Sequence, residues 1–271
     1  MSGGRRFEGR VCLVTGSTGM AASAAHAIAA EGALVFVTSR TEEHALNLAS
    51  AIEGRGGTAA HHTADLTVEA DVEAAVAECV ATFGRIDAVY NVAGISGRRF
   101  GDGPLHEATL EGWRAVLATN VTSLFLVSRA SVRRMLAQEP GPGGGRGAIL
   151  NMSSVLASHP APTYFATHGY AASKGAIESF SRSIAAYYAP HGIRVNVIAP
   201  SLVATPMSRR AQADPAIQAW LEAKQPLAGG TIPADAVTPV ALHLLSDEAR
   251  MVTGQVITVD GGWSVSEPPL R

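Results

Sequence analysis

Residues 14–33 read VTGSTGMAASAAHAIAAEGA, a β-branched run, a glycine turn and an Ala-rich helical stretch in immediate succession. Gly16 and Gly19 fall between a strand and a helix, so backbone N–H groups over Gly16, Ser17, Thr18, Gly19 and Met20 can approach a pyrophosphate at the helix N-terminus. A tight turn whose small residues merely pack helix on strand is the plainer alternative. Its place directly after the first strand favours a dinucleotide site.

Outward from this turn, short β-branched runs alternate with longer helical patterns, the signature of βαβ units and a parallel sheet. Strands are expected at Val11–Thr15, Leu34–Thr38, Thr58–Thr63, Ile86–Asn91, Ala148–Met152, Ile193–Ile198 and Val256–Val259. Their apolar character requires cover on both faces, which defines an α/β, doubly wound, Rossmann-type sheet of about seven strands. Helices are expected near Gly19–Ala30, Glu42–Glu53, Glu69–Phe83, Leu110–Leu136, Tyr170–Ala189, Pro215–Lys224 and Ala234–Leu245. The Gly-rich stretch 139–147 reads as a surface loop, and residues 205–232 as a substrate lid within a single domain spanning 1–271.

Composition narrows the function. With 271 residues, 21 Lys and Arg against 23 Asp and Glu, and a net charge of −2, there is no basic field for nucleic acid or an anionic membrane. Cys12 and Cys79 lie in apolar settings and form no disulfide framework. No signal-like start and no uninterrupted apolar span of about 18 residues is present, so a soluble, cytoplasmic protein is expected. His61, His62, His159 and His168 have no metal-ligand spacing.

From the turn onward the chain resembles the short-chain dehydrogenase/reductase family. The likeness rests on Thr15–Gly16 with Gly19, Ala64–Asp65–Leu66, Asn91–Val92–Ala93–Gly94, Asn120, Ser154, Tyr170 followed by Ala171, Ala172, Ser173 and Lys174, Pro200 with Thr205, and Val259–Asp260–Gly261–Gly262. The glycine turn is one residue short of the family fingerprint, and Ala21 stands at its last glycine. The resemblance implies that Asp65 bonds adenine, that Leu66, Asn91, Ala93, Gly94, Pro200, Val203 and Thr205 line the coenzyme, and that Asn120 holds a proton-relay water. Asp65 can also be read as a helix N-cap.

Tyr170 and Lys174 stand one helical turn apart. A neighbouring ammonium favours phenolate, which would draw the phenol down from about 10 and suit Tyr170 to acid/base work. Ser154, at a strand's carboxyl end, is the candidate for bonding the substrate oxygen, with Ser153 its rival; the family pattern favours Ser154. Asn120, Ser154, Tyr170 and Lys174 form the catalytic set, and a secondary alcohol or ketone is the expected substrate class. A catalytically weak nucleotide-binding regulatory module is the alternative.

At the end of the second strand stand Ser39 and Arg40 rather than a carboxylate, which favours NADP(H), with NAD(H) possible if Arg40 stacks on adenine. Arg98 and Arg99 read as solvated, with an anionic substrate the sharper alternative. Met207, Ile217, Trp220 and Leu221 point to a hydrophobic substrate unless Trp220 packs on the sheet. The apolar last strand reads as an edge that a partner should cover, and family likeness implies a homotetramer; residues 267–271 could then reach a neighbouring subunit.

Overall fold

The computed structural model describes residues 5–141 and 143–267. Seven strands, β1 Val11–Thr15, β2 Leu34–Ser39, β3 Thr58–Thr63, β4 Ala88–Asn91, β5 Gly147–Met152, β6 Ile193–Pro200 and β7 Val256–Val259, form one sheet in the order β3-β2-β1-β4-β5-β6-β7. Every neighbouring pair is parallel. The order reverses between β1 and β4, which opens a crevice at their carboxyl ends.

Ten helices flank the sheet among the described residues: α1 Met20–Ala30, α2 Glu42–Glu53, α3 Glu69–Phe83, α4 Leu110–Leu117, α5 Ser123–Ala137, α6 Pro162–Phe165, α7 His168–Tyr188, α8 Arg209–Gln212, α9 Pro215–Lys224 and α10 Thr238–Leu245. Successive side chains of β1 serve opposite layers. Cys12 and Val14 join the core with α1, α2 and α10, while Val11 and Leu13 join the one with α3, α5 and α7. Burial on both sides is why the strand reads as an unbroken apolar run, each fully buried Val or Leu contributing about 1.5–3 kcal/mol. Cys12 and Cys79 are buried free thiols, and burial pushes Cys79 up to about 12.

Several boundaries move for identifiable reasons. β4 starts at Ala88 rather than Ile86, because the Gln138 side chain takes both backbone groups of Ile86, accepting at 3.1 Å and donating at 2.8 Å. The helix expected over Leu110–Leu136 carries a π-turn at Ala118–Thr122 between α4 and α5. The run Leu110–Ala137, although interrupted by charged and polar residues, is long and apolar enough on average to cross a membrane; 56% of its apolar window is buried inside the structure, as in a core helix.

The segment after β6 carries α8 and α9, and a parallel bridge between Val203 and Ile232 closes its base. Ile217 and Leu221 are fully buried in a satellite core with Trp263. Trp220 packs on Tyr164, Phe165 and Trp263 with ring centroids 5.0–6.2 Å apart. These three residues therefore build the segment rather than face a substrate. Among the described residues β7 is an edge strand, paired only with β6. Of the tail 267–271, residues 268–271 lie outside the described residues.

Candidate active site

The glycine turn needs its glycines. Gly19 has φ 56° and ψ −127°, and a Cβ there would stand 2.9 Å from Thr205 Cγ2; Gly16 has φ 90°. Only glycine adopts such a conformation cheaply. No side chain caps α1 and no acidic residue occupies its first turn, so the N–H groups and helix dipole remain available to an anion. The residues present thus fit a pyrophosphate-containing coenzyme. Thr205 is itself braced, since its N–H donates to Ser208 Oγ at 3.1 Å.

Across the switch point, Thr15 Oγ1 accepts from the N–H groups of Val92 (3.0 Å) and Ala93 (3.2 Å), which hangs the turn after β4 on β1. Gly94 follows at the cleft wall, and a Cβ there would come 3.0 Å from Asn120 Oδ1. Asn91 points elsewhere: its Nδ2 donates to Asn151 Oδ1 at 2.9 Å and Ser128 Oγ at 3.2 Å inside the sheet. Leu66 is likewise buried in the core. Both side chains therefore serve the scaffold, so any coenzyme contact at these positions falls to backbone atoms.

The cleft beside this turn has a volume of about 770 Å³ and is lined by Ser154, Tyr170 and Lys174, with Thr18, Met20 and Pro200. Gly94, Val203 and Thr205 also contribute to its wall. Lys174 is buried, and its Nζ donates to the Met152 carbonyl at 2.8 Å. Desolvation lowers its pKa to about 8. The Tyr170 phenol moves the opposite way from the sequence expectation. Burial raises its pKa above the ordinary value, and a hydrogen bond with the Ser154 side chain only partly opposes the rise. The neutral phenol is therefore favoured, because a phenolate loses more on leaving water than a neutral hydroxyl does.

The two serines divide. Ser153 Oγ lies 2.9 Å from Glu178 Oε1 and 3.2 Å from the Lys174 carbonyl, so its proton is committed to α7. Ser154 Oγ accepts from the Leu156 N–H, at 3.3 Å, and meets the Tyr170 phenol at the cleft. Asn120 sits inside the π-turn, buried. Its Nδ2 donates to the Ile95 carbonyl (3.0 Å) and Ser173 Oγ (3.0 Å), while Oδ1 accepts from the Ile95 N–H (2.8 Å). Both amide hydrogens are used, so the side chain ties the loop at Ile95 to α7.

Ser39 and Arg40 stand at the carboxyl end of β2, with Ser17 Oγ donating to Ser39 Oγ at 3.0 Å. Asp65 is not the N-cap of α3, whose N-cap is Val68. Its Oδ1 instead accepts from the Thr67 N–H (2.9 Å) and hydroxyl (2.7 Å), and these bonds, with a smaller contribution from Arg40, hold its carboxyl below the usual range.

Three features escape sequence reasoning. Asp102 reaches α7, accepting from the Gly169 N–H at 2.9 Å and the Tyr170 N–H at 2.8 Å, so a distant loop seats the helix that carries Tyr170. Phe165 and Trp263 also line the cleft. Arg98 and Arg99, both exposed as the sequence suggests, line it too. Nothing local announces these contacts, since each joins segments far apart in the chain.

A doubly wound sheet with a glycine turn at its switch point and Ser, Tyr and Lys in the adjoining cleft is the layout of a dinucleotide-dependent oxidoreductase. The family model described as "Enoyl-(Acyl carrier protein) reductase" matches residues 14–264, and the chain belongs to the short-chain dehydrogenase/reductase family. It is 36% identical over 265 residues to momilactone A synthase of Oryza sativa subsp. japonica, covering 96% of this chain and 92% of that protein. It is 34% identical over 262 residues to the mitochondrial borneol dehydrogenase of Lavandula x intermedia, covering 96% and 93%. A gluconate 5-dehydrogenase from Burkholderia cenocepacia J2315, solved with NADP and tartrate, superimposes with a TM-score of 0.86 at 32% identity, covering 96% of this chain and 98% of the other. The family membership makes the chain an oxidoreductase.

Proposed function

We propose that the protein interconverts a secondary alcohol and a ketone with NADP(H), using Tyr170 as the general acid/base. The observation that carries this reading is the convergence of Ser154, Tyr170 and Lys174 on one cleft wall beside the glycine turn. Held by the glycine turn and this cleft, a nicotinamide coenzyme would supply the hydride-transfer chemistry. In the reducing direction the Tyr170 hydroxyl, kept protonated by burial, gives its proton to the carbonyl oxygen, and Ser154 donates a hydrogen bond to the same oxygen. The resulting phenolate is stabilised by the Lys174 ammonium on the next helical turn, and the reverse direction retraces these steps. Asp102 and Asn120 act as positioning residues, the first on the N-terminus of α7 and the second on the loop at Ile95.

The NADP(H) preference is supported by Ser39 and Arg40 where a 2′-OH-binding carboxylate would stand, and the similar gluconate 5-dehydrogenase was solved with NADP. The test is a panel of ketones and secondary alcohols, following nicotinamide absorbance with each coenzyme. Turnover faster with NADP(H) supports the reading. Coenzyme binding with no turnover across the panel refutes it in favour of a regulatory module.

A further inference from the structure

Two guanidinium groups converge on one backbone oxygen at the wall of the cleft. Arg98 Nη2 donates to the Tyr164 carbonyl at 3.0 Å, and Arg210 Nη2 donates to the same atom at 3.3 Å. Arg98 arises from the turn after β4 and Arg210 from α8, and Tyr164 belongs to α6, whose aromatic residues pack on Trp220 of α9. One carbonyl thus holds two like charges side by side on a braced segment.

Among the described residues neither Arg98 nor Arg210 forms an ion pair, whereas Arg6, Arg10, Arg85, Arg129 and Arg133 each do. Asp102, the acid that acts on Arg98, already accepts from two N–H groups of α7. Burial first, and then repulsion from Arg210, push the Arg98 guanidinium below its ordinary value, with Asp102 opposing. The charge imbalance extends to the whole cleft: Arg98, Arg99, Lys174, Arg209 and Arg210 line it, and no Asp or Glu among the described residues does.

Each guanidinium has five N–H donors in a planar fork, and the bond to Tyr164 leaves most of them free to meet a planar oxyanion. The coenzyme's pyrophosphate has its own place at the glycine turn, while this pair is tied to α6, in the segment between Ser154 and Tyr170. We propose that Arg98 and Arg210 together receive a carboxylate of the substrate, making this an enzyme of hydroxy and keto acids whose carboxylate lies away from the reacting carbon. The proposal rests on the oxidoreductase reading above and narrows its substrate class.

The test uses NADPH-loaded enzyme and a set of cyclic and linear ketones, each as the free acid and as its methyl ester. The acid should exceed its ester in kcat/KM by about tenfold or more, chiefly through KM, and that ratio should collapse in Arg98→Ala and Arg210→Ala. Benzoate, a non-reacting carboxylate, should raise the Tm of the NADPH-loaded wild type and lose this effect in both variants, a readout independent of turnover. Esters turned over as well as acids by the wild type would overturn the carboxylate site and leave the oxidoreductase reading standing. Bound NADPH with no turnover of any ketone would overturn both. A loss of NADPH affinity in both variants, with the acid-to-ester ratio intact, would assign the pair to the coenzyme instead.

Discussion

The Lys174 ammonium lies 5.5 Å from the centre of the Tyr170 ring and is anchored to the Met152 carbonyl at 2.8 Å. The cation lies beside the ring, and burial dominates the titration of both groups. A neutral phenol beside a buried cation is a proton donor whose conjugate base has its counter-charge already in place.

Burial of Lys174 carries a stability cost that depends on pH. Its folded pKa of about 8 lies below the unfolded value, so the cost is present below pH 8 and is relieved as pH rises towards 10.5, where the unfolded chain also loses the proton. The shift corresponds to about 3 kcal/mol. Denaturant titrations should show Lys174→Met most favourable relative to wild type near pH 7, with that difference shrinking by this amount by pH 10.5. Parallel pH curves for the two proteins would show that the ammonium bears no such cost.

At the coenzyme's distal end, Arg40→Ala should weaken NADP(H) by about 1.5–3 kcal/mol, the scale of a hydrogen bond to a charged group, and weaken NAD(H) much less. Ser39→Asp should reverse the preference by supplying a ribose acceptor and repelling the 2′-phosphate. Dissociation constants from fluorescence quenching decide the matter: equal losses for both coenzymes in Arg40→Ala would replace the phosphate contact with adenine stacking.

Asp102 holds two N–H groups at the start of α7, one of them that of Tyr170 itself. Asp102→Ala should cost about 2–3 kcal/mol of stability and lower kcat, and Asn, which keeps one acceptor oxygen, should recover part of both. Unfolding and kinetic measurements on the pair would count against this role if Ala matched wild type in each.

For assembly, the apolar edge at β7 and the exposed Trp113, Phe125 and Tyr187 are proposed to be covered in a homotetramer, with a dimer as the smaller alternative. Gel filtration coupled to light scattering at micromolar concentration should return the mass of four chains. A stable monomer would end this proposal.

The sheet was legible because β1 buries both faces, so Val11–Thr15 carries its apolar character without interruption, and because glycines mark the ends of several elements. The cleft residues Ser154, Tyr170 and Lys174 were legible from spacing and family likeness. What spacing could not convey was tertiary environment. The phenol's pKa is governed by depth in the fold, the amide of Asn120 by the chance of meeting Ile95 and Ser173, and the fate of Ile217 and Leu221 by Trp263 from the far end of the chain. The Arg98–Arg210 pair was illegible for the same reason, since only folding brings the turn after β4 and α8 to one carbonyl.

The central claim is that the Tyr170 hydroxyl moves the proton. Tyr170→Phe removes that hydroxyl and keeps the ring, so single-turnover reduction of a ketone identified in the panel, with NADPH pre-bound, isolates the step. The account predicts a fall on the order of a hundredfold or more in the rate of nicotinamide oxidation with NADPH affinity retained. A variant that binds NADPH and reduces the ketone at the wild-type rate would contradict it.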